Sequence, residues 1–168
     1  MKKEVEVQMD LFGADKRQEK KQPKTYAVQK YRLSYVREKT GLGECKVMSR
    51  NDVKDFCRHF LSPLPIEKVC IIALDNGHNI IGFEAIEGAT NQCAVYPSNC
   101  FRFLLCAGAS AFIIAHNHPG GSTRPSEADW KFTERLKKAG ELLDVPLLDH
   151  LIITETELVS LRDSSRWG

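Results

Sequence analysis

The sequence has no apolar run approaching the roughly 18 to 20 residues that a membrane-spanning helix requires. Its first residues, MKKEVEVQMDLFG, carry no apolar core of the signal-peptide kind before charges resume. Neither a bilayer span nor a secretory leader is expected, and the predicted location is the cytoplasm. Strong charge is lacking too: 24 Lys and Arg stand against 22 Asp and Glu, a net charge of +2. That is too little to coat nucleic acid by charge alone, and no helix-turn-helix or basic stripe supports direct DNA contact. No C-x-x-C pair occurs, which disfavours a zinc ribbon and a thioredoxin-type site. H-E-x-x-H is absent, excluding the helix-borne metalloprotease site, and H-x-E with P-C-x-x-C is absent, excluding a nucleobase deaminase site.

What is there is one soluble domain's worth of chain, 168 residues with 42% hydrophobic and 27% charged positions. Six cysteines (Cys45, Cys57, Cys70, Cys93, Cys100, Cys106) lie in apolar segments of a chain long enough to fold without staples, so they are expected as reduced core residues. Residues 1–30 hold eight basic and five acidic side chains and no sustained apolar period, and are expected to form a mobile tail ahead of a domain over 31–168. Tyr31 to Val36 alternates like a half-buried strand. Asn51 or Ser49 is placed to cap a helix with Val53, Phe56, Cys57 and Phe60 on its apolar face, ended by Pro63 and Pro65.

Val69 to Leu74 is continuously apolar, as in a central strand, and Asp75-Asn76-Gly77 turns it back through Ile80 to Ile86 as a hairpin. An extended piece over Gln92 to Tyr96 follows. Ser98 is placed to cap a helix along Phe101, Leu104 and Leu105. Ala111 to Ala115 reads as a buried strand delivering His116 at its C-terminal end, where α/β sites usually sit. After the Gly- and Pro-rich stretch 117–125, Ser126-Glu-Ala-Asp129 has capping-box spacing, and the helix behind it shows Phe132, Leu136, Ala139 and Leu143 on one face. Pro146 to Ile153 and Leu158 to Leu161 read as closing strands. The expected architecture is α/β, a mixed sheet flanked by helices.

His116 and His118 alternate across an extended strand end, so Asn117 points away and both imidazoles face one point. Asp129, in the first turn of the next helix, is placed to bring a carboxylate back to it. Two histidines and one carboxylate leave a fourth tetrahedral position for water, the composition of a catalytic zinc site.

The spacing H-x-H-x7-S-x2-D, formed by His116, His118, Ser126 and Asp129, resembles the JAMM motif of the JAB/MPN+ metalloproteases. The words around it, HNHPGGSTRPSEAD over 116–129 and LDHLI over 148–152, resemble the RadC family, and the resemblance runs from about Lys46 to Arg162. Gly120 departs from the family's usual Ser in a loop that spares the ligands. The resemblance implies a cytidine-deaminase-like α/β/α sandwich, bound Zn2+ and cleavage of a peptide or isopeptide amide. It also implies a catalytic glutamate on an earlier strand. Glu84 and Glu87 are the two candidates, and Glu84 is preferred because Glu87 abuts the Gly88 turn. Ser126 would stabilise the oxyanion or serve as a plain helix cap. Asp149 or His150 is placed to support a ligand imidazole from behind.

A second resemblance lies in the tail, where Gln8-Met-Asp-Leu-Phe12 is similar to the peptide with which bacterial replication and repair proteins grip the sliding clamp. Gln8, Leu11 and Phe12 would be the anchor, held on a reaching tail. The alternative function this implies is a DNA repair or replication accessory protein recruited through the clamp.

Overall fold

Val69 to Leu74 are buried without a break, and the strand they form is flanked by others on both sides. A computed structural model of the chain describes residues 46–61, 66–87 and 95–168, with backbone alone at 58–60. The sequence-predicted tail, its clamp-like peptide, the strand at Tyr31 to Val36, Cys45 and Cys93 lie outside the described residues. So do Gln92 to Ala94 of the predicted third extended piece. Val95 and Tyr96 are described and belong to no strand.

Among the described residues five strands form one mixed sheet in the order β2-β1-β3-β4-β5: β1 Lys68–Leu74, β2 Ile80–Glu87, β3 Ala111–Asn117, β4 Leu147–Ile153 and β5 Leu158–Ser160. The predicted hairpin is present as antiparallel β1 and β2. Asp75 holds its turn, its Oδ1 accepting from the amides of Gly77 and Asn79 at 2.8 Å each. β1 also runs antiparallel to β3, whereas β3 and β4 are parallel, which requires a crossover that a helix supplies.

Among the described residues three α-helices cover the sheet: α1 Arg50–Leu61, α2 Pro97–Ala107 and α3 Glu127–Leu142. On one face Val53, Phe56, Cys57 and Leu61 of α1 pack with Cys70, Ile72, Leu74, Ile113, Ala115, Leu151 and Ile153. On the other, Cys100, Phe101 and Leu104 of α2 and Leu136 of α3 pack with Val69, Ile71, Phe112 and Ile114. Each such side chain contributes about 1.5–3 kcal/mol when fully buried, and together they make the α/β/α layering. Among the described residues no helix is long and apolar enough to cross a membrane. Cys57, Cys70 and Cys100 are buried thiols and Cys106 is half-buried.

α1 begins directly after Ser49, one of the two expected caps, and Asp52 in its first turn accepts from the Met48 and Ser49 amides at 2.8 and 2.7 Å. The start of α2 and the end of the closing strand differ from the sequence-based expectation. α2 begins one residue before Ser98, with Pro97 in its first turn and Tyr96 as an N-cap that makes no side-chain bond; a proline there loses no helical hydrogen bond and has its φ already set. The closing strand stops at Ser160, and Leu161 opens a 3-10 turn.

α3 returns to β4 through a close approach at Gly140, whose carbonyl accepts from the Val145 amide at 2.9 Å. A Cβ on Gly140 would lie 2.6 Å from the Val145 carbonyl oxygen and 3.4 Å from the Leu147 amide nitrogen. Gly140→Ala is therefore expected to destabilise the fold by about 1–3 kcal/mol despite alanine's better helix propensity. Urea unfolding of the variant beside the wild type measures this, and a stabilised variant would show that the approach yields without cost.

Candidate metal centre

Chain direction brings the site together. β3 ends in His116 and Asn117, and in a β-α-β crossover the helix begins at the edge where the first strand ends. The first turn of α3 therefore stands beside His116 and His118. β1 runs opposite to β3, with Val69 paired to His116, so the start of β1 reaches the same edge.

Alternation along β3 separates the polar side chains as expected. Asn117 turns away and ties the sheet edge, its Oδ1 accepting from the Lys68 amide at 2.7 Å and its Nδ2 donating to the Ile66 carbonyl at 3.0 Å. The imidazoles converge, with His116 Nε2 at 2.9 Å from His118 Nε2. Asp129 Oδ1 is 3.4 Å from His116 Nε2, and Asp129 Oδ2 is 3.6 Å from His118 Nε2. One ligand atom from each of the three lies within 4.8 Å of the others. His118 Nδ1 meets the Ser122 carbonyl at 2.6 Å; a carbonyl only accepts, so Nδ1 carries the proton and Nε2 offers its lone pair. Convergent imidazole and carboxylate donors fit a metal ion.

Ser126 and Asp129 form the predicted capping box. Asp129 Oδ2 accepts from the Ser126 amide and hydroxyl at 2.7 Å each, while Ser126 Oγ accepts from the Asp129 amide at 3.2 Å. The cap thus aims the carboxylate and directs the Ser126 hydroxyl proton at it.

The electrostatics follow from burial and proximity. Burial pushes His116 down to about 4, with Asp129 opposing, and holds His150 well below the usual histidine value. The Asp129 carboxylate beside it raises His118, against the opposing effect of burial. Burial alone would raise Asp129, but His118, His116 and the Ser126 bonds outweigh it and hold the carboxyl below its usual range.

The two glutamates considered on β2 are placed differently. Glu84 pairs with Ile71, and Ile71 with Ile114, so Ile86 is the β2 residue in line with His116. Two strands across and two residues along put the Glu84 backbone about 12 Å from that of His116, and the register does not bring it to the centre. Glu87 pairs with Lys68, its carboxylate 2.7 Å from the ammonium, on the opposite face of the sheet from His116. The carboxylate that does bear on the centre is Glu67, just ahead of β1. It is raised by burial and by the Asp129 charge and lowered by His118. Sequence reasoning missed it. Its signal was the alternation Glu67, Val69, Ile71 into a buried strand, but only the antiparallel pairing of β1 with β3 shows which sheet edge it occupies.

Behind the centre, His150 Nε2 is 2.8 Å from His116 Nδ1 and His150 Nδ1 is 2.6 Å from Thr133 Oγ1. Of the two polar residues sequence analysis placed behind a ligand, His150 is the one there. Asp149 faces α1, accepting from Arg50 Nε at 3.0 Å and Ser160 Oγ at 2.7 Å.

An α/β sandwich with two strand-end histidines and a helix-borne aspartate defines a protein of the JAB-domain class. The family described as RadC-like JAB domain matches residues 47–166, and the chain belongs to it. Among curated proteins it is similar to the UPF0758 proteins of Shewanella pealeana (39% identical over 120 residues, 70% of this chain and 53% of the relative) and Carboxydothermus hydrogenoformans (36% over 126 residues, 74% and 56%). The UPF0758 protein of Halorhodospira halophila is 48% identical over 91 residues, 54% of this chain and 41% of that one. The chain spans about half the length of these relatives.

The buried neutral histidines set a pH dependence for the chelator-treated protein. His116 has a folded value of about 4 against an ordinary 6.5, so the unfolded chain binds more protons between those values and stability falls as pH is lowered through them. The loss from His116 alone approaches about 3 kcal/mol. His150 acts in the same direction, and Asp129 adds to the loss only below its ordinary value of 3.8. His118, being raised, opposes: its stabilisation is complete below 6.5 and fades as pH rises through its folded value. Urea unfolding at pH 6.5 and 4.5 is expected to show lower stability at 4.5; a flat or inverted profile contradicts the buried neutral pair.

Proposed function

We propose that this domain is a zinc-dependent hydrolase of the JAMM type that cleaves a peptide or isopeptide amide. The observation that carries the reading is the convergence of His116 Nε2, His118 Nε2 and Asp129 on one point at the end of β3. His116, His118 and Asp129 would hold the ion, which when bound supplies a water acidified to near neutrality and a Lewis-acid contact for a carbonyl oxygen.

Glu67 is the general base in this reading. Burial and the Asp129 charge raise its carboxyl, which suits a group that must take a proton from the attacking water and pass it to the departing amine nitrogen. Ser126 positions Asp129 through the capping box, and its hydroxyl, rotated off Asp129 Oδ2, gives the tetrahedral oxyanion a donor. Elemental analysis of the purified protein is expected to return about one zinc per chain, lost in His116→Ala/His118→Ala. Iron in its place, which two histidines and a carboxylate also suit, or no metal, overturns the reading. Glu67→Gln should keep its zinc and lose about 10²–10⁴-fold in hydrolysis of a peptide library, while Glu84→Gln stays close to wild type. The reverse pattern would return the base to Glu84.

The tail supports a second, compatible reading, recruitment to DNA repair or replication through the sliding clamp, with both partners in the cytoplasm. Its warrant is the peptide Gln8 to Phe12, whose Leu11 and Phe12 suit an apolar pocket and whose Gln8 suits a hydrogen bond beside it. In a pull-down with purified bacterial sliding clamp, Leu11→Ala/Phe12→Ala is expected to abolish recovery of the wild-type chain; equal recovery removes this reading.

A further inference from the structure

The His150 ring is fully buried between His116, Thr133 and Phe132 and takes no part in the proposed hydrolysis. Its contacts form a chain of hydrogen bonds whose direction is fixed at one end. Thr133 Oγ1 lies 2.6 Å from the Asp129 carbonyl oxygen. That oxygen only accepts, so the hydroxyl proton goes there and Thr133 Oγ1 is left to accept from His150 Nδ1 at 2.6 Å. Buried without an ionic partner at its ring nitrogens, His150 carries one proton rather than two. Its Nε2 is therefore an acceptor and takes the Nδ1 proton of His116 at 2.8 Å. His116 is left with a bare Nε2 facing His118 and Asp129.

We propose that Thr133 and His150 are positioning residues that address the proton of His116 to Nδ1, anchored on the Asp129 carbonyl, and so make Nε2 its ligating atom. The inference rests on His116 being a metal ligand. The same residue that anchors the chain through its carbonyl presents its carboxylate Oδ1 at 3.4 Å from His116 Nε2. One turn of α3 thus supplies a ligand and sets the tautomer of another. A register shift in β4 makes this geometry possible. Leu147 pairs with Phe112, but Asp149 pairs with Ile113, so one extra residue is inserted and the sides exchange from there on. Without it His150 would face α1 and Asp149 would face the metal centre.

The test uses the full chain with 15N-labelled histidine, chelator-treated, at pH 7.5. Long-range proton–nitrogen spectra are expected to show the Nδ1–H tautomer at both His116 and His150. In Thr133→Val, which keeps the shape but removes the acceptor, His150 should move its proton to Nε2 and drive His116 to Nε2–H. The zinc dissociation constant from chelator competition should then rise about 10–100-fold. Thr133→Ser should restore tautomer and affinity together. A wild-type His116 in the Nε2–H form overturns the proposal, as does a Thr133→Val protein with an unchanged tautomer and unchanged zinc affinity. The wild-type spectrum decides even where Thr133→Val does not fold. Because it is recorded without metal, failure of the wild type to bind zinc would remove the proposed function while the tautomer still judges the relay.

Discussion

The pairing of β3 with an antiparallel strand on one side and a parallel strand on the other governs the molecule. Antiparallel β1 brings its first residues to the edge where β3 ends. The parallel partner β4 forces the chain through α3, so that the helix opens at the same edge. Glu67 is far along the chain from His116, His118 and Asp129, yet these two pairings carry all four to one edge of the sheet. Side chains on strand ends and a helix first turn are held by the packed core behind them, which gives the site the precision that loops lack.

The polar groups around this edge are affordable because each is answered. Among the described residues, no buried side-chain nitrogen or oxygen lacks a hydrogen-bond partner, and an unanswered one would cost about 1–3 kcal/mol. The Leu148-Asp149-His150 stretch shows how the work is divided. Asp149 ties β4 to β5 through Ser160 and to α1 through Arg50, which also grips Asp163 with both terminal nitrogens at 2.6 and 2.7 Å. His150, one residue on, faces the opposite layer and leans on His116.

Much of this was legible beforehand. The apolar run at Val69 to Leu74, the Asp75-Asn76-Gly77 turn and the strand ahead of His116 were readable because local chemistry and burial agree there. The convergence of His116, His118 and Asp129 was readable because strand alternation and a capping box are local rules. Ser98 misled because the Pro97 next to it is a stronger helix-start signal than an N-cap serine. Glu67 was overlooked, and the choice was confined to Glu84 and Glu87, because a single strand's alternation tells which face a side chain takes but not how far along the neighbouring strand it sits.

The sequence by itself determined the main elements, the two histidines and the aspartate that could hold a metal, and membership of the RadC family through the words around His116 and Leu148. Only the tertiary structure decided that β1 and β3 run in opposite directions, which brings Glu67, just ahead of β1, to the edge where β3 ends and leaves Glu84 further along the sheet. It alone also decided that β4 takes an extra residue at Leu148, which turns His150 toward His116. Both are matters of strand direction and register between segments distant in the chain, and a period-2 pattern looks the same whichever way its neighbour runs.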